Sequence, residues 1–104
     1  MSKWIDVAAA DELIEGKPLV VEADDRVLVV MLHEGQVSCL DDVCTHDGGP
    51  LSEGCFDGTS LACPRHGAKF DVRTGEALTM PATQPTQAFS AKIEDGRVQV
   101  LLDN

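Results

Sequence analysis

Ala88-Phe89-Ser90-Ala91-Lys92-Ile93-Glu94-Asp95-Gly96-Arg97-Val98-Gln99-Val100-Leu101-Leu102 reads as two strands joined by a turn. Phe89, Ala91 and Ile93 fall on one face of a pleated strand. The turn Glu94-Asp95-Gly96-Arg97 follows, and then Val98, Val100 and Leu102 alternate again. A period of two places each set on a single face, and Asp-Gly suits a tight hairpin because glycine accepts positive φ. The same pattern recurs at Trp4 to Val7, Leu19 to Glu22, Arg26 to His33, Gln36 to Leu40, Thr59 to Ala62 and Lys69 to Val72. Glu34-Gly35 marks a second hairpin and Asp57-Gly58 a third. Only Ala8 to Ile14 has helical character, about two turns before Gly16 and Pro18 stop it. The expectation is an all-β fold of antiparallel sheets in one domain spanning 1–104, its base built from both ends of the chain.

Composition narrows the function. The formal net charge is −10, with 18 acidic against 8 basic side chains. Few cations make a nucleic-acid backbone or an anionic membrane a poor partner, since each phosphate contact needs Lys or Arg. No apolar run approaches the roughly 20 residues that cross a bilayer, and the first residues lack a signal-peptide layout. A cytoplasmic location is expected. In that compartment four cysteines point to metal or redox chemistry rather than a disulfide framework.

Between Cys44 and Gly67 lie five of the nine glycines and two of the five prolines. A loop-rich subdomain over about 42–82 is therefore expected, inserted into the β base. Two turn-dense stretches hold the chemistry: Cys44-Thr45-His46-Asp47-Gly48-Gly49-Pro50 and Cys63-Pro64-Arg65-His66-Gly67. Cys44-x-His46, sixteen residues, then Cys63-x-x-His66 offers two thiolates and two imidazoles from adjacent loop tips, a four-ligand metal set. Zinc in a structural Cys2His2 module is one occupant that these residues allow.

With those motifs the chain resembles the Rieske and Rieske-type [2Fe–2S] proteins. The resemblance implies that Cys44 and Cys63 hold one iron of a [2Fe–2S] cluster, and His46 and His66 the other. Its length and pattern are similar to those of soluble Rieske-type ferredoxins. That implies a one-electron carrier, not itself an enzyme. Its partners would be a flavin- or iron–sulfur-containing reductase and a terminal mononuclear-iron oxygenase. A small Rieske subunit of a reductase, such as assimilatory nitrite reductase, is the alternative within the same family. High-potential members carry an extra cysteine in each loop and hydroxyl donors to the sulfurs. The matching positions here are Gly49, Arg65, Ala68 and Phe70, which implies no loop-to-loop disulfide and a potential toward the lower end of the range.

Other residues take structural readings. Gly48, Gly49 and Gly67 suit either close backbone approach to the sulfides or simple turns. Pro81 resembles the proline of the family's third loop, and equally suits a stiff turn. Asp47 and Arg65 adjoin ligands. His33 reads as a structural histidine, Cys39 and Cys55 as reduced core thiols, and Trp4 as a core anchor.

Overall fold

The computed structural model describes residues 2–43, 50–64, 67–79 and 85–103. Among the described residues, ten strands form three antiparallel sheets. They are β1 (Ser2–Ala9), β2 (Leu19–Ala23), β3 (Arg26–His33), β4 (Gln36–Asp41), β5 (Cys55–Phe56), β6 (Ser60–Ala62), β7 (Lys69–Asp71), β8 (Ala88–Phe89), β9 (Ala91–Glu94) and β10 (Arg97–Asp103). One sheet runs β1-β10-β9, a second β2-β3-β4-β8, and a third β5-β6-β7. The first two draw on both ends of the chain, and the third lies in the middle of the sequence. No helix among the described residues is long and apolar enough to cross a membrane.

The hairpins close where glycine was expected to allow it. Glu94 pairs with Arg97 across Asp95 (φ 52°) and Gly96 (φ 76°), and His33 pairs with Gln36 across Glu34 (φ 51°) and Gly35 (φ 79°). Positive φ at both central residues gives each turn the twist that matches its strands. A third such turn, Asp24-Asp25, joins β2 to β3 with φ of 48° and 66° and no glycine at all.

β3 explains how two layers share one sheet. Its apolar run is continuous, so both faces must be covered. Leu28 and Val30 face a core containing Ala8, Leu13, Val21, Cys39, Val98 and Val100. Val29 and Met31 face the opposite way, into a second core with Leu40, Leu51, Leu61, Cys63, Ala68, Phe70 and Val72. The β5-β6-β7 unit therefore sits on the back of the base sheet, and Cys63 belongs to the core between them.

Several expectations change. The helix over Ala8 to Ile14 shrinks to a single 3-10 turn, Ala10–Glu12. Ala8 and Ala9 stay in β1, paired with Val98 and Arg97, and the Ala9 N–H is taken by the Glu12 carboxylate at 2.8 Å. Trp4 is no core anchor. It is 42% exposed on the outer face of its sheet, with the Lys92 ammonium 4.2 Å above the ring. The strand from Ala88 to Glu94 breaks at Ser90 because β8 joins the second sheet and β9 the first, a corner where the chain switches layers. Ile93 is exposed.

Candidate metal centre

Of the four expected donors, Cys63 lies within the described residues; Cys44, His46 and His66 lie outside them, as do Asp47, Gly48, Gly49, Arg65 and Pro81. The surroundings of Cys63 are well defined. β6 delivers the chain to Cys63, whose N–H donates to the Ala68 carbonyl at 2.7 Å, while the Gly67 N–H donates back to the Cys63 carbonyl at 3.0 Å. This closes a tight turn with Gly67 at φ 74°, where a side chain would be strained. Cys63 is 2% exposed in the core of Leu51, Leu61, Ala68 and Phe70.

The described residues on both sides of the Cys44/His46 stretch are held in place. Before it, the Asp41 N–H donates to the Gln87 carbonyl (2.8 Å) and the Asp42 N–H to the Val27 carbonyl (3.1 Å). After it, Leu51 opens a 3-10 turn, Leu51–Glu53, and is fully buried in the same core as Cys63. The Asp42 carboxylate then spans the gap. Ser52 gives it both the backbone N–H (2.7 Å) and the hydroxyl (2.8 Å). The roots of the two cysteine–histidine stretches thus converge on one apolar core.

The described residues on both sides of the Pro81 stretch are held likewise. Leu78 N–H donates to the Lys69 carbonyl (2.7 Å), and the Lys69 N–H donates to Thr79 Oγ1 (2.9 Å). On the far side Thr86, 4% exposed, gives its N–H to the Gly75 carbonyl and shares its hydroxyl between the carbonyls of Val43 (3.2 Å) and Asp41 (3.4 Å). Asp42, Ser52, Thr79 and Thr86 were missed in the sequence. An Asp or Thr in a loop carries no period, and its partners lie up to 45 residues away.

The donor chemistry fits an iron–sulfur group. Two thiolates and two neutral imidazoles are the Rieske ligand complement, and the one described donor sits where the surroundings are apolar and the backbone is held. Ala68 and Phe70 are both fully buried and bring no hydroxyl to the Cys63 turn.

The remaining candidates take other roles. His33 ends β3, pairs with Glu15 (Nδ1 to Oε2, 3.0 Å) and meets the Phe56 ring edge-on at 6.1 Å between centroids, a structural link between base and insert. Cys39 is buried in the base core, where burial first and the Asp41 charge second push its thiol up to about 12. Cys55 is exposed, contrary to its reading as a core thiol, because β5 is an edge strand of its sheet. Asp57 holds the β5–β6 turn. Its carboxylate accepts the N–H groups of Thr59 and Ser60 and the Ser60 hydroxyl, and these keep it well below the usual carboxylate range.

Comparison with known proteins agrees with this geometry. The sequence profile of the Rieske [2Fe-2S] domain matches residues 3–90. The ferredoxin component of the naphthalene 1,2-dioxygenase system of Pseudomonas putida is 37% identical over 98 residues, covering 94% of each chain. The ferredoxin of carbazole 1,9a-dioxygenase from Nocardioides aromaticivorans IC177 superposes with a TM-score of 0.90 at 27% identity, covering 94% of this chain and 96% of that one. A chain in the complex of reduced oxygenase and oxidized ferredoxin in carbazole 1,9a-dioxygenase gives a TM-score of 0.86 at 35% identity, covering 93% and 91%. With a profile match over most of its length and relatives more than 30% identical over nearly the whole of both chains, the chain belongs to the Rieske [2Fe–2S] family.

Proposed function

We propose that the protein is a Rieske-type ferredoxin, a one-electron carrier that takes electrons from a flavin- or iron–sulfur-containing reductase and passes them to a terminal oxygenase in the cytoplasm. The observation that carries this reading is similarity over nearly the whole of both chains to ferredoxin components of dioxygenase systems. That similarity favours this reading over a structural zinc module or a fixed small subunit of a nitrite reductase.

In this reading Cys44 and Cys63 would hold one iron and His46 and His66 the other, and the segment over about 42–82 would be the cluster-binding subdomain. The bound cluster supplies reversible uptake of one electron, at a potential raised relative to all-cysteine clusters by the two neutral imidazoles. The chain's own part is to hold the donors still and to bring the site to its partners. The Cys63 turn fixes one donor's backbone, and the Asp42–Ser52 bonds hold the residues on either side of the Cys44/His46 stretch. The net charge of −10 steers encounter with basic surfaces and keeps complexes short-lived.

The deciding experiment is iron and acid-labile sulfide analysis of anaerobically purified protein, with EPR of the dithionite-reduced form. The expected result is two irons and two sulfides per chain, with a lower average g than all-cysteine clusters give. Protein that holds no sulfide even after reconstitution overturns the reading, and a colourless protein containing zinc replaces it. Reduction by the partner reductase should slow as ionic strength rises from about 20 to about 500 mM.

A further inference from the structure

The Asp42 carboxylate spends both oxygens on one residue. Oδ1 accepts the Ser52 N–H at 2.7 Å and Oδ2 the Ser52 hydroxyl at 2.8 Å. Charge-assisted bonds of this kind are short and directional. They join the chain just before the 44–49 stretch to the chain just after it. The Asp42 backbone is held as well, through its N–H to the Val27 carbonyl at the start of β3.

A second tie reaches the same place from another part of the chain. The buried Thr86 hydroxyl lies between the carbonyls of Asp41 and Val43, the latter being the residue directly before Cys44. Thr86 is itself fixed, since its N–H donates to the Gly75 carbonyl (2.8 Å). Gly75 approaches so closely that a Cβ there would stand 2.0 Å from the Thr86 carbonyl oxygen. Strand pairing accounts for neither tie; both sit outside the ladders.

Resting on the proposed ligand set, we infer that Asp42 is a positioning residue for the cluster: with Ser52 it closes the base of the Cys44/His46 loop, and Thr86 bolts the same base from the opposite side. The residues on either side of the 44–49 stretch are thereby held together by the protein's own hydrogen bonds. Groups that orient ligands in this way typically change metal retention by about 10- to 100-fold when removed.

The test compares Asp42→Ala, Asp42→Asn and Thr86→Val with Val100→Ala, which creates a cavity in the base core away from the loop. In the reconstituted proteins, cluster loss to a chelator should be roughly 10-fold faster or more in Asp42→Ala. Asp42→Asn keeps an acceptor oxygen for the Ser52 N–H and should restore most of the difference, together with the unaltered EPR g values. Thr86→Val should quicken loss in the same direction while Thr86→Ser does not. In metal-free protein, hydrogen exchange at the Leu51 and Ser52 amides should accelerate in Asp42→Ala and stay unchanged in Val100→Ala. Cluster loss from Asp42→Ala no faster than from Val100→Ala, with equal exchange, overturns the inference. If the unmodified protein binds no cluster, the ferredoxin reading fails, and the exchange comparison alone decides whether the clamp exists. Should Asp42→Ala not fold, Thr86→Val against Thr86→Ser decides.

Discussion

Gly54 lies flat against the Ala62 carbonyl: a Cβ on Gly54 would stand 1.6 Å from that oxygen and 2.8 Å from its carbon. Ala62 immediately precedes Cys63, and Gly54 follows the turn that begins with Leu51, so this contact presses the chain leaving the first cysteine–histidine stretch against the chain entering the second. The obstacle is backbone already held in the β5-β6-β7 sheet, which cannot swing aside as a side chain could. Gly54→Ala should therefore cost about 3 kcal/mol, and thermal unfolding should show a midpoint lowered by roughly 10 to 20 °C. Gly96→Ala makes a useful contrast, because space there is open and only the φ of 76° is strained. A Gly54→Ala protein as stable as the Gly96→Ala one would mean that the contact relaxes freely.

The two cysteines outside the proposed ligand set should differ in reactivity. Cys39 is buried and its thiol is raised to about 12, so it carries almost no thiolate at neutral pH. Cys55 stands exposed on an edge strand. Iodoacetamide at pH near 8 should alkylate Cys55 in the folded protein and reach Cys39 only on unfolding, as peptide mass spectrometry would record. Equal labelling of both in the folded state would show that the base core opens far more readily than its burial implies. Cys55→Ser should leave iron and sulfide content unchanged.

Asp57 makes stability depend on acid. Its carboxylate is held below the usual range by the N–H groups of Thr59 and Ser60 and then by the Ser60 hydroxyl. A depressed folded-state value stabilises the protein above the unfolded-state value near about 4, and that contribution fades as pH falls toward the folded-state value. Asn at this position keeps an acceptor oxygen but no charge. Denaturant titrations of the unmodified protein and Asp57→Asn should show a stability gap that is constant from neutral pH to about pH 5 and narrows below about pH 4. A gap that widens in acid would reverse the sign and refute the assignment.

Ala68 and Phe70, fully buried beside Cys63, set the expectation for redox potential. Neither brings a donor to stabilise the added electron, so the potential should lie toward the lower end of the Rieske range of about −150 to +300 mV. Ala68→Ser puts a hydroxyl into that turn and should raise the potential in a redox titration. A value above about +100 mV for the unmodified protein would contradict this account. The same substitution should leave the base intact, because Ala68 contacts the second core and not the one beneath β1 and β10.

What the sequence determined by itself is what short-range chemistry encodes. Alternation in Val98, Val100 and Leu102 requires a half-buried strand, and these residues are buried. The continuous run in β3 requires cover on both faces and receives it. Asp95-Gly96 and Glu34-Gly35 form turns because their neighbours and their φ freedom are local. The cysteine–histidine pairs of the proposed ligand set are visible in the sequence for the same reason, each cysteine lying two or three residues from its histidine. Tertiary structure alone decided the rest. Asp24-Asp25 adopts positive φ without a glycine because β2 and β3 leave no other closure. Trp4 lies outward because the β1-β10-β9 sheet already fills its inner face with Val98, Val100 and Leu102. Asp42 with Ser52, Thr86 with Val43, and Gly54 with Ala62 meet only once the insert folds down on the base sheet. Such contacts join positions 8 to 43 residues apart with no period to announce them, and they tie together the described residues that flank the proposed ligands.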